Sequence, residues 1–229
     1  FLLFLFLFAL VIIWRIKARK YISSGTVASA YDAWTEDKLL ERLWGEHIHL
    51  GFYPLGEGNI DFRKAKVQFV HELVKWSGLD KLPKGSRILD VGCGIGGSSR
   101  ILAKYYGFNV IGITISSAQV KRARELTPSS LTCSFQVMDA LNLKFEDGSF
   151  DAIWSVEAGA HMNDKTRFAD EMLRTLRPGG YLALADWNSR DLRAYPPSFF
   201  EKLVLKQLLE QWVHPNFISI NEFGNILRT

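Results

Sequence analysis

The sequence predicts an α/β fold in which helices flank a parallel sheet, with a separate apolar helix at the amino end. Short apolar runs alternate with longer segments of helical periodicity, an order that gives parallel strands joined by right-handed crossovers. A glycine-rich loop, LDVGCGIGGSSR (Leu89–Arg100), directly follows the first of these runs. The chain has 229 residues, which is enough for one domain with a sizeable core.

The elements are predicted in order from periodicity and from helix-end residues. Asp61–Gly78 has apolar residues on one helical face, and its glycine suits a C-cap. The aromatic and glycine-rich residues 21–60 predict irregular structure. The predicted strands are Arg87–Val91, Asn109–Thr114, Ser134–Asp139, Phe150–Val156 and Tyr181–Asp186. The predicted helices are Ser98–Tyr106, one capped by Ser117 and ending near Leu126, Asp164–Leu176 (ended by Arg177–Gly180), and Ser198–Trp212.

The amino end reads FLLFLFLFALVIIW (Phe1–Trp14), and as a helix it spans roughly 21 Å, short of a ~30 Å hydrocarbon core. Four basic residues and no acid follow, which marks a cytoplasmic flank. We expect residues 1–20 to be a truncated membrane anchor with its basic flank. A signal peptide cleaved near Val27–Ala30 and a buried core helix are the alternatives. The intervening charges disfavour the first, and the missing polar stripe disfavours the second.

Charge and cysteine content exclude other classes. Beyond residue 20 the chain carries 24 basic and 24 acidic residues, so we expect no nucleic-acid partner. Cys93 and Cys133 lack metal-ligand spacing and predict free thiols in a reducing compartment. His47 and His49 could suggest a metal, but no third ligand is evident and none is expected. The sequence does not indicate an oligomeric state.

The glycine loop predicts close approach of a ligand to the backbone. Gly92, Gly94 and Gly97 fit G-x-G-x-x-G, which places a helix amino terminus with free N–H groups beside the ligand. A nicotinamide site also requires an acid about 20 residues on, for the ribose. The second strand instead ends in GITIS (Gly112–Ser116), which has no carboxylate. An NAD-dependent oxidoreductase is therefore the weaker alternative.

The loop also fits G-x-G-x-G after an acid, and in this form it resembles the first motif of S-adenosylmethionine-dependent methyltransferases. Three more segments match that class at the right spacing: VMDA (Val137–Ala140), FEDGSFDAIWSVEAGAHM (Phe145–Met162) and LRPGGYLALAD (Leu176–Asp186). YDAWTE (Tyr31–Glu36) and WGEHIHLGFY (Trp44–Tyr53) are similar to methyltransferases of prenylated phenols and sterols, with the tocopherol methyltransferases nearest.

The resemblance covers nearly the whole chain and implies a Rossmann-like class I methyltransferase fold. The family's sheet has seven strands, so two strands and part of the acceptor pocket are expected to be missing at the carboxyl end. Three regions follow: residues 1–20 as anchor, 21–80 as amino-terminal lid and helix, and 81–229 as an incomplete cofactor-binding core.

The resemblance also implies S-adenosylmethionine as cofactor and assigns residues to it. All of them except Asp90 and Ala140 have a plain structural alternative, such as a tight turn, a strand end, an N-cap or packing. The assigned set is Tyr31 as a lid, Asp90 at the loop or the cofactor amine, Gly92, Gly94 and Gly96 beneath the methionine part and ribose, Thr114 at the ribose, and Gln119, Asp139 and Ala140 at the adenine.

The implied acceptor is a prenylated hydroquinone, methylated on a ring carbon ortho to a phenol. That carbon becomes nucleophilic as the phenol loses its proton, so a base or hydrogen-bond partner is needed. His47, His49, Glu157 and His161 are the polar groups near the matching motifs. We expect His161 or His49 in this role, and the alternative for each is a histidine bonded to backbone.

Other interpretations stay open at this stage. γ-Tocopherol and sterols are alternative acceptors, and a membrane-tethered protein without activity is an alternative from another class. Membrane lipid is an expected partner. The resemblance places the catalytic part on the cytoplasmic side of a cyanobacterial thylakoid or plasma membrane. We expect helix Ser198–Trp212 to line a path for the prenyl tail or to touch the membrane, and packing on the sheet is the alternative.

Overall fold

A computed structural model describes residues 21–56 and 60–228. Within them, five parallel strands form one sheet in the order β3-β2-β1-β4-β5. The strands are β1 (Arg87–Val91), β2 (Asn109–Thr114), β3 (Cys133–Val137), β4 (Phe150–Val156) and β5 (Leu176–Ala185). The helices are α1 (Ser24–Glu36), α2 (Leu39–Trp44), α3 (Phe62–Ser77), α4 (Gly97–Tyr106), α5 (Ser117–Leu126), α6 (Lys165–Thr175), α7 (Phe199–Trp212) and α8 (Ile220–Ile226).

Strand β1 lies at the centre of the sheet and is buried along most of its length. Leu89 pairs with Ile111 of β2 on one side and with Ile153 of β4 on the other. From β1 the chain adds β2 and β3 on one side, and it then crosses to add β4 and β5 on the other side. The direction of strand addition therefore changes between β1 and β4. In open parallel sheets, ligands bind outside the carboxyl ends of the strands at this point.

Two apolar layers enclose the sheet. On one face, Val70 and Val74 of α3 and Leu102 of α4 pack with Trp154 of β4. On the other face, Phe168 and Met172 of α6 pack with Leu89 and Ile153, and Phe223 of α8 joins them. Both layers are fully buried, so the carboxyl ends of β1 and β4 are held on a rigid base.

The structure confirms the predicted bounds of β1, β2 and β4, and it corrects the amino-terminal region. The prediction that residues 21–60 are irregular was wrong for residues 24–44, where α1 and α2 lie, and was confirmed for residues 45–56. A capping box between Ser23 and Thr26 begins α1, and α1 buries Val27 and Ala30 against Val213. Tyr31, Trp34 and Trp44 lie on these helices, whereas Phe52 and Tyr53 lie in the irregular segment.

Smaller corrections follow from edge-strand and cap geometry. Strand β5 begins at Leu176 and not at Tyr181, because an edge strand tolerates the proline of Arg177–Gly180. Ser116 rather than Ser117 caps α5, since its Oγ accepts from Gln119 N. Strand β3 ends two residues before the predicted Asp139. Helix α8 was not predicted, although Ser219 and Glu222 form a capping box.

The expectations for the anchor concern Phe1–Trp14, which lies outside the described residues. Among residues 21–56 and 60–228, no helix is both long and apolar enough to cross a bilayer.

Candidate active site

A cavity of about 320 Å³ lies at the carboxyl ends of β1, β2 and β4. Helix α1 and residues 46–50 after α2 cover it. We call α1 the lid helix and residues 46–50 the covering segment. Every predicted site residue except Gly96 lines this cavity. The structure thus brings together side chains that are more than 100 residues apart in sequence. The lining members of the predicted set are Tyr31, His49, Asp90, Gly92, Gly94, Thr114, Gln119, Asp139, Ala140 and His161.

The three loop glycines have positive φ angles, but they need glycine for different reasons. A Cβ on Gly92 would lie 2.2 Å from the Ala158 Cβ, and one on Gly96 would lie 2.7 Å from the Phe135 ring. A Cβ on Gly94 would meet no protein atom within 4 Å. Protein packing therefore explains glycine at 92 and 96, and only Gly94 has open space above it. Gly96 acts at the start of α4, away from the cavity.

Asp90, one residue before the end of β1, is a buried carboxyl. Ser99 of α4 donates a 2.5 Å hydrogen bond to Asp90 Oδ2. Burial raises the pKa of Asp90 to about 7, and the hydrogen bond from Ser99 opposes this shift. Asp90 therefore holds the start of α4 against the sheet while it also faces the cavity.

Three polar residues line the cavity from β2, from α5 and from the turn after β3. Thr114 Oγ1 donates to Gln119 Oε1 at 2.7 Å, and both side chains are buried. Asp139 Oδ1 accepts from Leu141 N at 2.9 Å, which shapes the turn that carries Ala140. These contacts fix the orientation of the predicted adenine and ribose residues before any ligand binds.

The lid helix is fixed by a carboxylate that the sequence analysis missed. Asp32 Oδ1 accepts from Ser116 Oγ at 2.6 Å and from Ala118 N at 3.0 Å. Ala118 N is one of the unpaired donors at the amino end of α5, where a negative charge is favourable. The only sequence signal was the acid beside Tyr31 in YDAWTE.

A hydrogen bond joins the lid to the core inside the cavity. The Tyr31 hydroxyl lies 2.9 Å from His161 Nε2, and His161 Nδ1 lies 3.4 Å from the Val213 carbonyl. A carbonyl only accepts, so Nδ1 carries the ring proton and Tyr31 donates to Nε2. Burial, and then the nearby His214, lower the pKa of His161 to about 3. The imidazole is therefore neutral at ordinary pH.

The turn that carries His161 is held from two sides. Asp186, at the end of β5, accepts from Ala160 N at 3.0 Å, and Lys165 Nζ donates to the Gly159 carbonyl. A Cβ on Gly159 would lie 2.1 Å from Asp186 Oδ2. The close approach of this carboxylate thus depends on a glycine two residues before His161.

Both ring nitrogens of His49, the second predicted catalytic histidine, already have protein partners. His49 Nδ1 donates to the Leu50 carbonyl at 2.7 Å, so His49 Nε2 accepts from His47 Nδ1 at 3.1 Å. Burial is the main cause that lowers the pKa of His47 to about 3 and that of His49 to about 4. His49 therefore fits the structural alternative, in which it shapes the covering segment.

Two further side chains hold that segment in place. Glu157 Oε1 accepts from Leu50 N at 2.9 Å, and Lys66 Nζ donates to the His47 carbonyl at 2.8 Å. Among the described residues, no group of three His, Cys, Asp or Glu side chains could hold a metal ion.

Two buried polar atoms in the cavity wall have no protein partner. They are Trp154 Nε1 and His214 Nδ1, and both side chains line the cavity. A buried donor or acceptor without a partner costs about 1–3 kcal/mol, which a bound polar group can recover. Sequence analysis missed both residues, because nothing in a sequence marks a buried tryptophan as unpaired.

The comparisons with known proteins agree with this arrangement. The family model described as "Methyltransferase domain" matches residues 89–184, from the glycine loop to the end of β5. The chain is 59% identical over 215 residues to the 2-methyl-6-phytyl-1,4-hydroquinone methyltransferase of Synechocystis sp.. That match covers 94% of this chain and 68% of the relative.

Two more distant proteins extend the comparison. The chloroplastic tocopherol O-methyltransferase of Arabidopsis thaliana is 36% identical over 83% of this chain, which spans 58% of that protein. Among solved structures, the geranyl diphosphate C-methyltransferase of Streptomyces coelicolor matches with a TM-score of 0.69 at 22% identity. That match covers 90% of this chain and 77% of the other, and it shows the fold.

Gly94→Val tests whether the open space above Gly94 belongs to the ligand. We expect it to abolish binding of S-adenosylhomocysteine in calorimetry, because a branched side chain would fill that space. Gly85→Val is the matched control, since Gly85 also has a positive φ and no atom near its Cβ but lies outside the cavity. Equal loss in both variants would assign the effect to backbone strain.

Proposed function

Because the chain belongs to the S-adenosylmethionine-dependent methyltransferases, in the family of the Synechocystis enzyme, we propose that it methylates the ring of 2-methyl-6-phytyl-1,4-benzoquinol, a step of tocopherol (vitamin E) and plastoquinone synthesis. The 59% identity to a hydroquinone methyltransferase, against 36% to a tocopherol methyltransferase, favours this acceptor over γ-tocopherol. Family membership sets the NAD-dependent alternative aside. The hydrogen-bonded pair of Tyr31 and His161 in the cavity carries the proposal.

The residues present fit the cofactor. Gly94 leaves open space at the loop, and the Thr114–Gln119 pair and Asp139 offer oriented polar groups on the β2–β3 side. Asp90 and the amino end of α4 stand between them and β4. We propose that these residues, with Tyr31, Gly92 and Ala140, hold S-adenosylmethionine. When bound, the cofactor supplies an electrophilic methyl group on a sulfonium.

The acceptor is proposed to lie on the side of the cavity nearer β4 and α7. Tyr31, His161, Trp212 and His214 line that side, so it is mainly aromatic. An aromatic wall suits a hydroquinone ring, the unpaired N–H of Trp154 can donate to one of its oxygens, and the unpaired Nδ1 of His214 can accept from one of its hydroxyls.

We propose that Tyr31 and His161 take the phenol proton as a pair. The phenol proton passes to the Tyr31 oxygen while the Tyr31 proton moves to His161 Nε2, so the acceptor becomes a phenolate, Tyr31 keeps one proton and His161 becomes an imidazolium. Because burial lowers the pKa of His161, Nε2 is unprotonated at ordinary pH and accepts the hydrogen bond from Tyr31. Burial of His161 excludes water, which would otherwise compete for the methyl group.

The membrane is the proposed location. We propose that residues 1–20 anchor the chain, with the catalytic part on the side of the basic flank. What supports this is the apolar run Phe1–Trp14, followed by basic residues, together with a phytylated acceptor that partitions into lipid. The bilayer would be that of a cyanobacterial thylakoid or plasma membrane, by similarity to the Synechocystis protein.

A methyl-transfer assay with labelled S-adenosylmethionine tests the activity. The acceptors are 2-methyl-6-phytyl-1,4-benzoquinol, γ-tocopherol and a sterol. We expect the benzoquinol ring to be labelled at the highest rate of the three acceptors, because this acceptor belongs to the most similar of the reported relatives. Preference for γ-tocopherol or the sterol contradicts the proposed acceptor. Cofactor binding without transfer to any acceptor supports the inactive tethered protein.

His161→Asn and Tyr31→Phe test the proton-accepting pair. We expect kcat to fall about 10²–10⁴-fold in His161→Asn and by at least about tenfold in Tyr31→Phe, the range for general-base catalysis. Since the pKa of His161 is about 3, wild-type kcat should show no His161 limb between pH 5 and 8. Tyr105→Phe, on an exposed tyrosine of α4, is the control. A loss of thermal stability with unchanged kcat would assign the pair a structural role.

A salt wash of membranes that carry the full chain tests the anchor. We expect the protein to stay with the membranes, because salt screens charge but leaves apolar burial intact. Release into the supernatant by salt alone would show that the basic flank, rather than a buried apolar segment, held it there.

A further inference from the structure

Helix α7 exposes a large apolar surface although nothing in the described part of the chain covers it. Phe199 is 71% exposed, Phe200 76% and Val204 67%, and Leu203 is also largely open to solvent. No residue of α7 is fully buried. The alternative that this helix packs on the sheet is therefore wrong for its first half. An exposed patch of this kind marks an interaction site.

The helix is held in place by its ends instead of by a core face. Ser198 and Glu201 form a capping box at its start, and Arg190 contacts Glu201 at 2.8 Å. At its other end, Trp212 packs on Trp34 of the lid helix, with ring centroids 5.8 Å apart. The apolar first half of α7 is therefore exposed to solvent while both ends of the helix are held in place.

The apolar surface continues from the outside into the cavity. Phe200, Val204, Leu208 and Trp212 are four residues apart, so they form one stripe along α7 over roughly 18 Å. The first two are exposed, and the last two line the cavity. An apolar ligand that extends from the cavity would therefore follow this stripe outward.

The chain itself indicates what lies beyond the stripe. The apolar and basic residues 1–20 join the described residues at Tyr21. Tyr21 lines a groove with Lys202, Leu205 and Lys206 on the neighbouring side of α7. A segment with the composition of a membrane anchor thus enters the fold directly beside the exposed apolar surface.

We propose that the first half of α7 is a membrane-docking surface, with Phe199, Phe200, Leu203 and Val204 inserted among the lipid chains at the bilayer surface. Lys202 and Lys206 border this face, where long basic side chains reach the anionic headgroup layer. The inference rests on the proposed function in one respect: the stripe then leads a phytyl tail from the bilayer into the cavity.

Fluorophore quenching tests the docking directly and needs no catalysis. Leu203→Cys in the full chain is labelled with an environment-sensitive dye and mixed with vesicles that contain anionic lipid and a chain-attached quencher. Tyr105→Cys on α4 is the matched site, and the chain without a new cysteine corrects for Cys93 and Cys133. We expect quenching at residue 203 and not at residue 105. Equal quenching at both sites, or none, would overturn the proposal.

The same labelled protein distinguishes other occupants of the surface. If residue 203 is shielded without vesicles and the shielding increases with protein concentration, a second copy covers α7. If it is shielded without vesicles at every dilution, residues 1–20 of the same chain cover it. Either result overturns membrane docking by this helix.

Kinetics separate this inference from the proposed function. For Phe200→Ser with Leu203→Ser, we expect kcat/KM to fall about tenfold or more with a phytylated acceptor in vesicles, because two large side chains lose their lipid contact. With a tail-less hydroquinone the value should stay within about twofold. Trp76→Ser with Tyr105→Ser removes exposed aromatics elsewhere and is the control. Equal loss on both acceptors would overturn the docking role, whereas wild-type inactivity on both would contradict the proposed function.

Discussion

The arrangement of the site depends on one hydrogen bond, from the Tyr31 hydroxyl to His161 Nε2, which joins the lid helix to the turn after β4. Several contacts exist to hold its two ends. Asp32 fixes the lid helix to α5, Asp186 fixes the turn, and Val213 accepts from the other imidazole nitrogen. Val213 has φ +57°, a costly conformation for a β-branched residue. Such strain persists where surrounding contacts enforce it, which is common at functional sites.

This closure also sets the chemistry of the cavity. The lid removes water from the imidazole, so the neutral form is favoured and its acceptor nitrogen is available to a hydroxyl. His49, which the sequence offered equally with His161, is bonded only within its own segment, to His47 and to the Leu50 carbonyl. Each histidine has one nitrogen on a backbone carbonyl, and the difference lies in the other nitrogen: His161 accepts from the Tyr31 hydroxyl, whereas His49 accepts from the His47 ring.

The sequence predicted the features that depend on local patterns of residues, and it did not predict those that depend on tertiary contacts. The strands and the glycine loop were predictable, because apolar runs and G-x-G-x-G express local geometry. The roles of Gly92 and Gly96 were not, since Ala158 and Phe135 reach them from distant segments. Helix α1 was missed because its aromatics face the cavity and α7 instead of a core. Asp32, Trp154 and His214 were missed for the same reason: their partners, or lack of partners, exist only after folding.

The cavity has two ends of different character, and the fold explains both. The end at β1, β2 and β3 is formed by backbone turns and fixed polar groups, which suit a nucleoside-like cofactor. Enzymes with different acceptors can share such a cofactor. The end at β4 and α7 is formed by aromatic rings on the lid helix and on α7, elements outside the sheet. A change in α7 can therefore alter the acceptor without disturbing the cofactor end. Since the apolar stripe of α7 leaves the cavity at this second end, the proposed acceptor end and the proposed membrane-docking surface share one helix.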